Sequence, residues 1–103
     1  MCGVIGLICD RSRSDLGQMA AVLLRSLEYR GYDSTGAAIQ GDAIDAVDLR
    51  KDVGAPSALV DDLGISAMTG RICCGQVRWA TFGAVDRKNA QPHVVRCKTF
   101  LYG

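Results

Sequence analysis

The sequence predicts a mixed fold of strands and helices in one small unit, and three observations carry that expectation. Residues 16–27 repeat apolar side chains at helical spacing, short β-prone runs occur before and after them, and neither an internal repeat nor a linker interrupts the chain. The 103 residues are 49% hydrophobic and 22% charged, with 12 Gly against 2 Pro, the balance of a folded globule rather than a disordered segment. A domain of this size buries only about two-thirds of the surface its unfolded chain exposes, so its stability margin is thin.

The elements follow in order. Val4 to Ile8 is an apolar run ended by Asp10, the pattern of a strand buried on both faces. From Ser12 or Ser14 as N-cap, Leu16, Met19, Ala20, Leu23, Leu24 and Leu27 form one apolar helical stripe. The helix should stop near Arg30, with Gly31 in the left-handed conformation that closes many helices. Gly36 to Gln40 and Ile44 to Arg50 flank Gly41-Asp42 and read as a hairpin. A weaker helix is expected from Pro56 to Leu63, a β-prone segment from Ile72 to Thr81, and a polar loop containing Pro92 from Phe82 to His93. Thr99 to Tyr102 reads as a last apolar strand. The sequence stops at Gly103 without a turn or closing helix, which reads as a cut within a larger domain.

Composition also excludes functions. With 12 Lys and Arg against 11 Asp and Glu there is no electrostatic footprint for nucleic acid or an anionic membrane, so the expected partner is a small molecule or another protein. Cysteines at 2, 9, 73, 74 and 97 are odd in number and lack C-x-x-C spacing, and His93 is the sole imidazole. Neither a disulfide framework nor a metal site is expected. The first residues lack the basic start and long apolar run of a signal peptide, and no stretch approaches the ~18 apolar residues of a membrane span. The expected compartment is the cytoplasm, with reduced thiols.

The chemistry begins at Cys2. Removal of Met1, which methionine aminopeptidases carry out when the next side chain is small, leaves a thiol and a free α-amine on one residue. An N-terminal amine with an unperturbed pKa of ~7.7–8.0 is neutral for an appreciable fraction of the time near neutral pH, so nucleophile and base share that residue. Position alone favours the plainer reading, a small residue opening a buried strand. Gly3 and Gly6 shift the balance, because backbone without Cβ admits close approach of a substrate or another strand.

Two further segments bear on this choice: Leu27-Glu28-Tyr29-Arg30-Gly31-Tyr32-Asp33-Ser34-Thr35-Gly36 and Gly75-Gln76-Val77-Arg78-Trp79-Ala80-Thr81-Phe82-Gly83. With Met1-Cys2-Gly3-Val4-Ile5-Gly6, they resemble the class II glutamine amidotransferases, whose glutaminase domain belongs to the N-terminal-nucleophile (Ntn) hydrolases. The likeness is to the branch of glutamine–fructose-6-phosphate aminotransferases, whose L-E-Y-R-G-Y-D-S run is matched in full. The resemblance covers nearly the whole chain.

The resemblance implies an α+β fold, the Ntn-hydrolase four-layer αββα sandwich with mainly antiparallel sheets, of which residues 1–103 supply roughly the first half. It implies that Cys2 attacks the glutamine side-chain amide, that Arg78 grips the substrate α-carboxylate with its planar fork of donors, that Trp79 and Thr81 shape the pocket, and that Arg30 lies near the nucleophile, where a cation favours thiolate. No cofactor is called for. Taken singly, Trp79 is as well a core residue, Arg30 a cation at a helix C-terminus and Arg78 a solvated strand charge.

The departures are specific. The family segment H-T-R-W-A-T-H-G carries Gln76, Val77 and Phe82 here in place of His, Thr and His, and its N-A-H-P-H loop carries Gln91 in place of His. By register, Leu101-Tyr102-Gly103 falls where the family has H-N-G, which places Gly103 at the Asn position of the oxyanion hole and implies that these residues alone make a poor catalyst. Further partners implied are L-glutamine, a C-terminal sugar-phosphate isomerase domain in the full-length protein that makes glucosamine 6-phosphate, and a homo-oligomeric state. Two other readings stay open: a degenerate glutamine-binding or assembly domain without catalysis, motivated by Gln76, Phe82 and Gln91, and a glutaminase domain serving another ammonia acceptor.

Overall fold

The structure, a computed structural model, describes residues 2–43, 46–81, 83–96 and 101–102. Its centre is a four-stranded antiparallel sheet in the order β1-β4-β2-β3, formed by β1 (Gly3–Arg13), β2 (Ser34–Gln40), β3 (Val47–Val53) and β4 (Gly70–Arg78). Helices α1 (Leu16–Ser26) and α2 (Pro56–Asp62) accompany it, and β5 (Val95–Arg96) pairs with β6 (Leu101–Tyr102) in a separate two-stranded ladder. The fold is α+β. Among the described residues no helix is long and apolar enough to cross a membrane.

One face of the sheet makes the core. Ile5, Ala37, Ile39, Cys73 and Val77 meet Leu16, Ala20, Ala21 and Leu24 of α1, and Val60 of α2 and Ile65 join the same cluster. The apolar stripe of α1 is rotated slightly from the expected one. Leu16, Ala20 and Leu24 are fully buried, but Ala21 is buried where Leu23 was expected, and Leu23 is 37% exposed. The reason is packing distance: two small residues, Ala20 and Ala21, let the helix sit close to the strands. Leu23 turns outward to join Leu7, Gln18, Met19 and Val22 around an open apolar groove of about 450 Å³.

The opposite face differs. β1 was expected to be buried on both sides, yet it alternates, with Val4 and Ile8 64% and 83% exposed. β1 also extends to Arg13, well past the expected end at Ile8. Six consecutive pairs from Gly3↔Val77 to Ile8↔Ile72 fix its register, after which the next pair is Arg13↔Gly70. Cys9 to Ser12 thus lie opposite Arg71 alone, a bulge that lets polar residues continue the strand.

The other differences lie at element ends. Asp15, not Ser12 or Ser14, caps α1, and it does so without a side-chain cap bond because its carboxylate is engaged by Arg13 at 2.8 Å. After α1 a short 3₁₀ turn spans Glu28–Arg30, and Gly31 is extended (φ −177°) rather than left-handed. β2 and β3 pair from Ser34↔Val53 to Gln40↔Val47, so the hairpin is present, with β2 ending at Gln40 as expected but starting at Ser34, and β3 shifted along the chain from the expected Ile44 to Arg50. α2 begins with Pro56 at its first turn and ends one residue before Leu63. Ile44, Phe82, Cys97, Thr99 and Gly103, named in the sequence reading, lie outside the described residues.

Candidate active site

At one end of the sheet the chain start meets the two motif segments. Gly3 is the first ladder residue of β1, paired with Val77, so Cys2 stands beside the end of β4, where Arg78 and Trp79 continue. Cys2 is exposed, and its Sγ lies 3.8 Å from the Trp79 carbonyl oxygen, which accepts from the thiol. Arg30, at the end of the 3₁₀ turn, donates from Nε to the Cys2 carbonyl at 3.4 Å and sits 6.0 Å from the Tyr29 ring centroid. Four of the sequence-chosen residues, Cys2, Arg30, Arg78 and Trp79, are therefore gathered although they span 77 positions in sequence.

Arg78 is not a solvated strand charge. It is 7% exposed, and Nη1 donates to the Ala84 carbonyl at 2.9 Å, tying the strand end to the loop that follows. Asn89 holds the same carbonyl at 3.1 Å, while its own backbone N–H is received by Asp86 at 2.8 Å. Opposite Arg78 in the ladder is Ser34, 1% exposed, whose Oγ has no hydrogen-bond partner among the described residues. Trp79 is not core: it is 44% exposed, with its ring 5.7 Å from that of Tyr32 at a tilt of 48°. Thr81 is exposed on the same turn. Gly103, assigned to the oxyanion hole, lies outside the described residues.

The Arg30–Asp33 segment lies flush against this turn. A Cβ on Gly31 would fall 2.7 Å from the Arg78 carbonyl carbon and 2.9 Å from the Trp79 nitrogen, both backbone atoms that cannot swing aside, so glycine is required for space rather than for φ. Asp33 was not singled out by the sequence reading. Its Oδ2 accepts the Ala80 N–H at 2.8 Å, and its backbone N–H donates to the Arg78 carbonyl at 3.0 Å. No local spacing signals a bond across 47 positions; only its place inside the Arg30-to-Ser34 run hinted at a role.

The polar loop is held from below. Lys51 donates to the Ala90 carbonyl at 2.7 Å, and its Nζ lies 3.4 Å from His93 Nδ1. Burial, then repulsion from Arg87, lowers the Lys51 pKa. Gly36 leaves room for the loop to cross the sheet, since a Cβ there would strike the Gln91 carbonyl and Pro92. Among the described residues no three His, Cys, Asp or Glu side chains gather as metal ligands.

No family model matches the chain. Among curated proteins, the glutamine–fructose-6-phosphate aminotransferase (isomerizing) of Corynebacterium diphtheriae is 44% identical over 100 residues, covering 92% of this chain and 16% of its own length. Those of Pyrobaculum aerophilum (38% over 95 residues) and Sulfurisphaera tokodaii (39% over 93 residues) cover 91% and 90% of this chain and 15% of their own lengths. The chain thus spans about 15% of the length of the curated relatives it matches. Among solved structures, the B. subtilis glutamine phosphoribosylpyrophosphate amidotransferase complexed with ADP and GMP superposes with a TM-score of 0.75 at 22% identity, over 96% of this chain and 20% of that one. A structure described as the allosteric regulatory enzyme of purine biosynthesis gives 0.76 at 23%, with the same coverage. At such identities these two show the fold, that of the Ntn-type amidotransferases. Sequence and fold agree over nine-tenths of this chain: its sequence relatives are glutamine–fructose-6-phosphate aminotransferases, and its fold is that of a solved glutamine amidotransferase.

Proposed function

We propose that this chain carries the glutamine-hydrolysing site of an amidotransferase, with Cys2 as nucleophile once Met1 is removed. The thiol proton passes to the Cys2 α-amine, and Sγ attacks the side-chain carbonyl carbon of glutamine. The carbon–nitrogen bond then breaks, the leaving nitrogen takes the proton held by the amine, and ammonia departs from a γ-glutamyl thioester. Water adds to the thioester, releases glutamate and restores the thiol. Arg78 receives the substrate α-carboxylate, Trp79 shapes the pocket wall, Thr81 hydrogen-bonds the substrate, Arg30 supplies positive charge beside Cys2, and Gly103 takes the Asn position of the oxyanion hole.

What supports this reading most directly is the Cys2 thiol lying 3.8 Å from the Trp79 carbonyl, which brings the chain start against the segment bearing Arg78 and Thr81. In the full-length protein the ammonia serves glucosamine 6-phosphate synthesis from fructose 6-phosphate in a C-terminal sugar-phosphate isomerase domain, within a cytoplasmic homo-oligomer. The chain itself is roughly the first half of the glutaminase domain.

The test is mass spectrometry of the full-length protein after incubation with the electrophilic glutamine analogue 6-diazo-5-oxo-norleucine. A single adduct on Cys2, lost in Cys2→Ala and dependent on removal of Met1, is expected. A protein that binds glutamine without forming the adduct overturns catalysis and favours a sensor or assembly domain, the reading motivated by Gln76, Phe82 and Gln91. Glutamine hydrolysis without glucosamine 6-phosphate formation assigns the ammonia to another acceptor.

A further inference from the structure

The Cys2 thiol faces the Trp79–Ala80 peptide group, and both ends of that group are engaged. The Trp79 carbonyl accepts from Cys2 Sγ at 3.8 Å, and the N–H of the same peptide unit, that of Ala80, donates to Asp33 Oδ2 at 2.8 Å. The described cis peptide bond is Gln91-Pro92, so the Trp79–Ala80 unit is trans. Its C=O and N–H point in opposite directions from one rigid plane. Whatever fixes the N–H end therefore fixes the direction of the carbonyl that faces the thiol.

Asp33 is well placed for this. Its backbone N–H donates to the Arg78 carbonyl at 3.0 Å and its own carbonyl accepts from Gly54 at 2.9 Å, so the residue is anchored on both sides before its side chain reaches Ala80. Main chain and side chain together grip positions 78 and 80 and leave the Trp79 side chain between them. Gly31, with no room for a Cβ against Arg78 and Trp79, lets this grip close. A bond from an N–H to a carboxylate is shorter and about twice as strong as a neutral one. It also polarises the peptide, making the Trp79 oxygen a better acceptor for the thiol.

We infer that Asp33 is a positioning residue: it orients the Trp79–Ala80 peptide against Cys2 and, through it, the Arg78–Thr81 turn. Its catalytic meaning rests on the glutamine-hydrolysing reading above, whereas the orientation itself does not.

The experiment uses the full-length protein and two variants, Asp33→Ala and Asp33→Asn. Asn keeps the shape and one acceptor oxygen. Hydrogen exchange at the Ala80 amide reads orientation directly. In Asp33→Ala it should quicken by about 10- to 100-fold, the scale of a lost bond to a charged group, with amides of the buried strand β2 unchanged and Asn restoring most of the protection. The rate of Cys2 labelling by 6-diazo-5-oxo-norleucine, divided by that of labelling by iodoacetamide, reads function. That ratio should fall in Asp33→Ala and recover in Asp33→Asn. Ala80 exchange within twofold of the parent, or loosening spread evenly over the sheet in both variants, overturns the inference. If the parent protein neither hydrolyses glutamine nor takes the adduct, the glutamine reading fails, and Ala80 exchange still decides the role of Asp33.

Discussion

The middle of β4 and its C-terminal end hold similar residue types to opposite purposes. In the middle, Cys73 is 2% exposed against the helices, and burial, followed by repulsion from Cys74, pushes its thiol up to about 11. At the end, Cys2 is exposed, with its thiol facing the Trp79 carbonyl and its own carbonyl accepting from Arg30. One thiol is a small apolar filler and the other is available for chemistry. The difference comes from the sheet: its helix-covered centre must be dry to pay the entropy of folding, whereas where β4 ends backbone polar groups are left open to a ligand.

The sharpest way to break this contrast is to exchange the two costs. Cys2→Ala in the full-length protein should abolish glutamine hydrolysis, measured as glutamate release, while the melting temperature stays within about 1 °C, since the side chain is exposed and surface changes cost within about 0.5 kcal/mol. Gly31→Ala should nearly abolish hydrolysis too, because the added methyl displaces Arg78 and Trp79 backbone; a kcat/KM within threefold of the parent would show that the strap yields. Leu24→Ala should do the reverse of Cys2→Ala. It removes a fully buried side chain beside Ile5 and Gly75, costing about 2–5 kcal/mol in denaturant unfolding. Leu23→Ala, one position earlier but 37% exposed, should cost less than half of that. Equal losses at the two leucines would contradict the rotated stripe.

The smallest effect concerns pH. The Cys73 thiol titrates at about 11 in the fold against an ordinary 9.0, so the folded state holds its proton longer than the unfolded chain. Its contribution to stability is complete below pH 9 and is lost as pH rises from 9 towards 11. Denaturant midpoints measured across that window should fall, and the fall should be shallower in Cys73→Ala. Alkylation at pH 8 should mark Cys2 and spare Cys73.

What the sequence discloses and what it hides follows the range of the forces involved. Helix α1, helix α2, the β2–β3 hairpin and β4 are legible because period, turn residues and Pro56 act locally. The convergence of Cys2, Arg30 and Arg78 was reachable only through the quoted motifs as a set, since each alone has an ordinary explanation. The rest required three dimensions. The tilt of α1 that buries Ala21 and exposes Leu23 depends on how closely the helix seats. The extended Gly31 answers a backbone that arrives 47 residues later, as does the Asp33 carboxylate. The capture of Asp15 by Arg13 replaces a cap that either upstream serine was free to supply.

The bulge from Cys9 to Ser12 separates two jobs that one strand would otherwise have to share. Because six pairs hold the stretch from Gly3 to Ile8 before the bulge begins, the position of Cys2 is insulated from whatever length lies beyond. Residues there are exposed or half-buried, which makes the bulge a tolerant insertion point for a spectroscopic label or short epitope that reports on the fold without moving its chemistry.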